Sequence, residues 1–264
     1  MTSIVDGVQV RTAGHGSPVL LLHGIGGASA SFDAQLTGLA PKHRVLAWDA
    51  PGYGGSADPE RPLGMAGYAR LVARVLTELD AVPAHLVGVS WGGVIATRVA
   101  LEHPEVVRSL VLADSTRGSG IDAERAAAMR ARPNELNRLG AAEFARRRAP
   151  RLLAPGADPA VARRVEDVMA GIRLPGYASA AESMAETDHG PRLSRISVPT
   201  LVLVGEHDQV TGVAESRRLA TSIPGARLEV LPGGHAANQE FPHRFCAEVA
   251  AFLSEVDETV EVAR

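Results

Sequence analysis

The chain has 264 residues, of which 45% are hydrophobic and 22% charged, as in an ordinary soluble globular protein with a substantial core. A formal net charge of −3 leaves no global basic field to hold a nucleic acid, and no apolar run approaches the roughly 20 residues of a membrane helix. Cys246 is the only cysteine, which excludes an intramolecular disulfide and a cysteine-based zinc cluster.

The opening MTSIVDGVQVRTAGHG lacks a basic segment followed by a long apolar one, so a cytoplasmic protein without a signal peptide is expected. Residues 4–11 predict a strand or hairpin at a sheet edge. Short apolar runs then recur at 19–22 (VLLL), 44–48 (RVLAW), 85–89 (HLVGV), 106–113 (VVRSLVLA), 200–204 (TLVLV) and 227–231 (RLEVL). Bounded by Gly and Pro, they read as buried strands. Between them, 68–79, 94–102, 213–223 and 244–253 place apolar residues at helical steps. This alternation predicts an α/β fold, with a mostly parallel central sheet flanked by helices.

Residues 115–195 break the pattern. They are rich in Ala and Arg and punctuated by Pro133, Pro150, Pro155, Pro159 and Pro175. Helical pieces are expected at 122–132, 140–149 and 158–171. The segment therefore reads as a helical insertion, with 1–114 and 196–264 forming the core.

GVSWGG at 88–93 sits between a strand and a helix and contains Gly-x-Ser-x-Gly around Ser90. A serine on so sharp a turn holds a strained backbone, and side chains two residues to either side would collide. A serine hydroxyl is a weak nucleophile unless a base takes its proton and an acid orients that base. His235, in PGGHAANQE, and Asp208, in GEHD, each follow a predicted strand, in the order Ser90, Asp208, His235. Asp114, after LVLA, is the rival acid. The backbone N–H groups of Ile25, in HGIGG, and of Trp91 are candidate oxyanion donors. His23 reads as a packing residue and Asp49, in DAPGYGGS, as a buried hydrogen-bond anchor for its loop. His85 opens a strand, His103 ends a helix and His243 begins one. His207 sits beside Asp208, facing elsewhere. His15, His43 and His189 read as surface loop residues.

HGIGG, DAPGYGGS, GVSWGG, GEHD and GGHAANQEFPHRF together resemble the α/β-hydrolase superfamily over about residues 15–114 and 198–253. The last motif is similar to that of 3-oxoadipate enol-lactonases, and the layout also resembles meta-cleavage product hydrolases and carboxylesterases. The resemblance implies that the insertion is a cap over the strand ends, and that neither a metal nor an organic cofactor is needed. It implies a serine hydrolase of a small carboxylic ester or lactone, acting through an acyl-enzyme. Carbon–carbon hydrolysis, an aminopeptidase-like activity and a ligand-binding protein on the same fold stay open as alternatives. The expected partner is a small-molecule substrate, with no nucleic acid or membrane, and homo-oligomerisation stays open. A short cap disfavours long lipid chains. Arg146, Arg147, Arg148 and Arg151 cluster within it, either as a solvated face or with one guanidinium turned inward to a substrate carboxylate.

Overall fold

The computed structural model describes residues 1–262. One sheet contains Thr2–Val5 (β1), Val8–Ala13 (β2), Ser17–Leu22 (β3), His43–Trp48 (β4), Ala84–Val89 (β5), Val107–Ala113 (β6), Thr200–Gly205 (β7) and Arg227–Leu231 (β8). Their order is β1-β2-β4-β3-β5-β6-β7-β8. β1, β2 and β4 pair antiparallel, and the strands from β4 to β8 run parallel. The edge hairpin turns on Asp6 and Gly7, both at positive φ, as a tight two-residue connection requires.

The parallel strands are apolar on both faces because helices cover both. Within β3, Leu20 and Leu22 join one core while Val19 and Leu21 join the other. Asp33–Gly38 (α1), Gly64–Glu78 (α2) and Trp91–Glu102 (α3) follow β3, β4 and β5 in the chain. Ala123–Leu139 (α4), Ala141–Arg148 (α5), Pro159–Ala170 (α6) and Leu174–Ala185 (α7) all lie between β6 and β7. Gly212–Ser222 (α8), Ala237–Glu240 (α9) and Pro242–Val262 (α10) complete the chain order. Leu36 of α1 and Phe245, Val249 and Leu253 of α10 fill the core on one face. Val72 of α2, Ile95 of α3 and Leu219 of α8 fill the other.

The insertion differs from its sequence reading in two ways. α4 continues through Pro133 to Leu139 instead of stopping near 132. The sequence pattern does not predict α7, because only Tyr177 and Met184 on its buried face are large and apolar, the rest being small residues such as Gly176, Ser179, Ala180, Ala181 and Ser183. Those small residues let α7 lie against both α4 and α2. Arg173, just before α7, ties the insertion to the core by bonding Asp58 at 2.6 Å and the Gly54 carbonyl at 3.0 Å.

Two histidines expected on surface loops are buried. His43 opens β4, with Nδ1 2.9 Å from Ser17 Oγ. His189 donates from Nε2 to the Val94 carbonyl at 3.1 Å, and burial pushes its pKa down to about 4. In each case a hydrogen-bond partner distant in sequence makes burial of a polar ring tolerable.

Candidate active site

β5 ends at Val89 and α3 begins at Trp91, leaving Ser90 alone at the turn with φ 53° and ψ −117°. A Cβ at Gly88 would overlap the Gly92 backbone, and one at Gly92 would overlap the Leu22 carbonyl. Only glycine lets the strand, the helix and β3 approach so closely. The strained turn is held from behind, where Ser90 N–H donates to the Ala113 carbonyl at 2.8 Å and Ser115 Oγ donates to the Ser90 carbonyl at 2.9 Å.

The loops after β7 and β8 bring the other two residues to Ser90. His235 Nε2 lies 2.9 Å from Ser90 Oγ, and His235 Nδ1 lies 3.0 Å from Asp208 Oδ2. All three side chains are buried. Burial alone would raise the Asp208 pKa. Hydrogen bonding from His235, the Thr211 hydroxyl and the Val210 N–H outweighs it and holds the carboxyl well below its ordinary value. Asp208 is therefore an anion facing the imidazole. Thr211 belongs to this arrangement but has no motif of its own to reveal it.

Asp114, the rival acid, is also buried, at φ 47°. Its Oδ1 accepts from the Gly205 N–H at 2.8 Å, while Oδ2 has no hydrogen-bond partner. Burial first, then repulsion from Asp208, raises its pKa well above its ordinary value. Among the described residues, Asp208 is the carboxylate bonded to His235.

Gly24 of the loop after β3 lies directly over the serine, since a Cβ there would stand 3.2 Å from Ser90 Cβ. The loop closes when Gly27 N–H donates to the Gly24 carbonyl at 2.9 Å, with Ile25 at the bend. His23 fixes it from beneath. Its Nδ1 donates to the Gly24 carbonyl at 2.9 Å and its Nε2 accepts from Ala50 N–H at 3.1 Å. Burial lowers the His23 pKa, consistent with this neutral form. Asp49 accepts from Ser29 N–H at 2.7 Å, Gln9 Nε2 at 2.9 Å and Gly55 N–H at 3.1 Å, so it anchors its loop. Trp91 stands at the first turn of α3, where backbone N–H groups have no intrahelical acceptor.

Ser90 and His235 open into a cavity of about 680 Å³, roofed by the insertion. Met129, Phe144, Val165, Met169, Tyr177 and Met184 supply apolar wall. Of the clustered arginines, Arg146 and Arg147 point outward and both bond Glu143. Arg148 and Arg151 line the cavity, together with Arg125 and Arg132 of α4. Arg125, Met129 and Arg132 are spaced to share one face of α4, a pattern present in the sequence but masked by the many arginines around it. Among the described residues, no group of three or more His, Cys, Asp or Glu side chains could hold a metal ion, and no helix is long and apolar enough to cross a membrane.

A parallel sheet with a serine on a strained strand-to-helix turn, a histidine bonded to it and a carboxylate behind that histidine defines the α/β-hydrolase class. The family model for the alpha/beta hydrolase fold matches residues 17–242, and the chain belongs to that family. It is 30% identical over 240 residues to a 3-oxoadipate enol-lactonase of Acinetobacter baylyi, covering 89% of this chain and 88% of that protein. It is 33% identical over 242 residues to a poly(3-hydroxyalkanoate) depolymerase of Ectopseudomonas oleovorans, covering 88% and 84% respectively. The crystal structure of an enol-lactonase from Burkholderia xenovorans superposes with a TM-score of 0.87 at 26% identity, covering 96% of this chain and all of that one.

Proposed function

We propose that this protein is a serine hydrolase that cleaves a small carboxylic ester or lactone through an acyl-enzyme. The observation that carries the reading is the single imidazole of His235, which spans Ser90 Oγ at 2.9 Å and Asp208 Oδ2 at 3.0 Å. Ser90 Oγ attacks the substrate carbonyl carbon while His235 Nε2 takes its proton, and Asp208 stabilises the imidazolium so formed. The N–H groups of Ile25 and Trp91 receive the developing oxyanion, and losing one such donor costs about 3 kcal/mol of transition-state stabilisation. Collapse breaks the acyl C–O bond, and His235 returns the proton to the departing alkoxide. For a lactone, that alcohol remains part of the acyl chain. Water, deprotonated by His235, then attacks the acyl-enzyme and regenerates Ser90.

Similarity to an enol-lactonase and to a polyhydroxyalkanoate depolymerase supports esters and internal esters as the substrate class. The buried glycine-framed serine supports covalent chemistry over simple ligand binding, because a binding site has no need of the strained turn at φ 53°. A fluorophosphonate probe should add its mass at Ser90, and p-nitrophenyl butyrate should be hydrolysed by the native protein but not by Ser90→Ala. Labelling elsewhere, with full activity in Ser90→Ala, would overturn the reading.

A further inference from the structure

Of the four arginines that line the cavity, two lack an ion pair among the described residues, and one of these, Arg132, is partly buried. Arg125 pairs with Asp122 at 3.3 Å, and Arg148 pairs with Glu135 at 3.1 Å. Arg148 also lies over the Phe144 ring, 5.1 Å from its centroid. Arg151 also has no carboxylate partner within ion-pair distance among the described residues, but its side chain is exposed to solvent. The acidic side chain in the same wall, Glu215, is already taken up by Arg117 at 2.9 Å and by the Thr116 hydroxyl at 3.2 Å. Arg132 lines the cavity half-buried and has no carboxylate partner within ion-pair distance among the described residues.

A guanidinium cannot shed its proton to escape such a position. Removing a charge from water without an opposite charge is unfavourable, so an anion bound beside the partly buried Arg132 would offset that cost. Burial disfavours the Arg132 charge and lowers its pKa, with the nearby Tyr177 and Glu135 side chains opposing that shift. Tyr177 is itself held edge-on against Phe144, at 5.3 Å and 80° between rings. Arg125, Arg132, Arg148 and Arg151 face the same space as Ser90 and His235.

We infer that Arg132 is the specificity residue for a substrate carboxylate, so that the ester or lactone hydrolysed here carries a second, ionised carboxyl group held under the insertion while Ser90 attacks its acyl carbon. The planar guanidinium suits a two-pronged bond to a carboxylate, and the unpaired charge of Arg132 would draw an anion inward. The inference rests on the serine-hydrolase reading for its chemistry, but the anion site can be tested without catalysis.

The kinetic test compares mono-p-nitrophenyl glutarate, whose acyl chain ends in a carboxylate, with neutral p-nitrophenyl butyrate. Arg132→Gln should lower the ratio of their kcat/KM values roughly tenfold or more, chiefly through KM for the glutarate ester, and Arg132→Lys should recover part of the loss. The binding test uses monomethyl glutarate and calorimetry, with Ser90→Ala as the parent protein. Adding Arg132→Gln to that parent should weaken binding by about tenfold or more. A selectivity ratio within about threefold of the native value in a folded Arg132→Gln protein would overturn the inference. If Arg132→Gln does not fold, Arg132→Lys decides, since it keeps the charge but cannot make the two-pronged bond, and an unchanged ratio would again overturn the inference. If the native protein hydrolyses neither ester, the hydrolase reading fails, and the calorimetric comparison alone supports or overturns the anion site.

Discussion

The indole Nε1–H of Trp91 donates to Ser183 Oγ at 3.0 Å, joining the residue after Ser90 to α7 of the insertion. Trp91 is fully buried, with the Tyr68 ring edge-on at 4.9 Å. The turn that carries Ser90 is therefore bolted to the roof of its own cavity. Ser183→Ala should lower the urea midpoint, with a loss of roughly 1–3 kcal/mol, because the buried indole N–H loses its acceptor. Trp91→Phe removes that donor, so adding Ser183→Ala to it should cost far less than the single change does. An additive double-mutant cycle in urea denaturation would contradict this coupling.

Asp208 and Asp114 follow neighbouring strands, but their environments shift their pKa values in opposite directions. Asp208→Asn should cut kcat by about 10⁴, because an amide favours the wrong imidazole tautomer. Asp114→Asn should cost much less, because the asparagine oxygen can still accept from Gly205 N–H. Steady-state kinetics on one aryl ester separates the two carboxyls, and the reverse ranking would transfer the acid role to Asp114.

Asp114 should also leave a signature in stability against pH. Its folded pKa is raised by burial and by the Asp208 charge. Its favourable contribution is therefore complete below the unfolded value, about 3.9, and is lost as pH rises through the raised folded value. Asparagine has no such dependence. The Tm of Asp114→Asn minus that of the native protein should become more positive from pH 4 to pH 8. A constant difference would mean that Asp114 is not held neutral.

Asp257 pins α10 to the end of the sheet remote from Ser90. It accepts from Ser17 Oγ and Arg108 Nη1, each at 2.6 Å, and lies 3.1 Å from His85 Nε2. Burial would raise its pKa, but the bonds to Ser17 and Arg108 win and lower it. Its contribution is thus present above the unfolded value of about 3.9 and is lost as pH falls through the lowered folded value. The carboxylate is partly exposed, so Asp257→Asn should cost roughly 1–2 kcal/mol at pH 7 after solvent screening. Denaturation curves at pH 7 and pH 3 should show the deficit shrinking at the lower pH.

Much of the fold and of the candidate site was legible in the chain because it depends on local constraints. Apolar runs interrupted by Gly and Pro marked the parallel strands, and the glycines flanking Ser90 marked a turn that no other residue could make. The strand-end positions of Asp208 and His235 followed from that alternation, and the family resemblance rested on the same short motifs. Other features depend on partners far apart in sequence. α7 holds its place by small residues fitted against α4 and α2, and Pro133 lies within a helix that packing sustains. His43 and His189 are core residues because Ser17 and the Val94 carbonyl reach them. The exposed and inward-facing arginines of the insertion are alike in sequence. Glu143 draws Arg146 and Arg147 outward, while the turn of α4 sets Arg132 against the cavity without an ion pair among the described residues. Charge can be counted along a chain, but its compensation depends on distances between side chains, which exist only once the helices have packed.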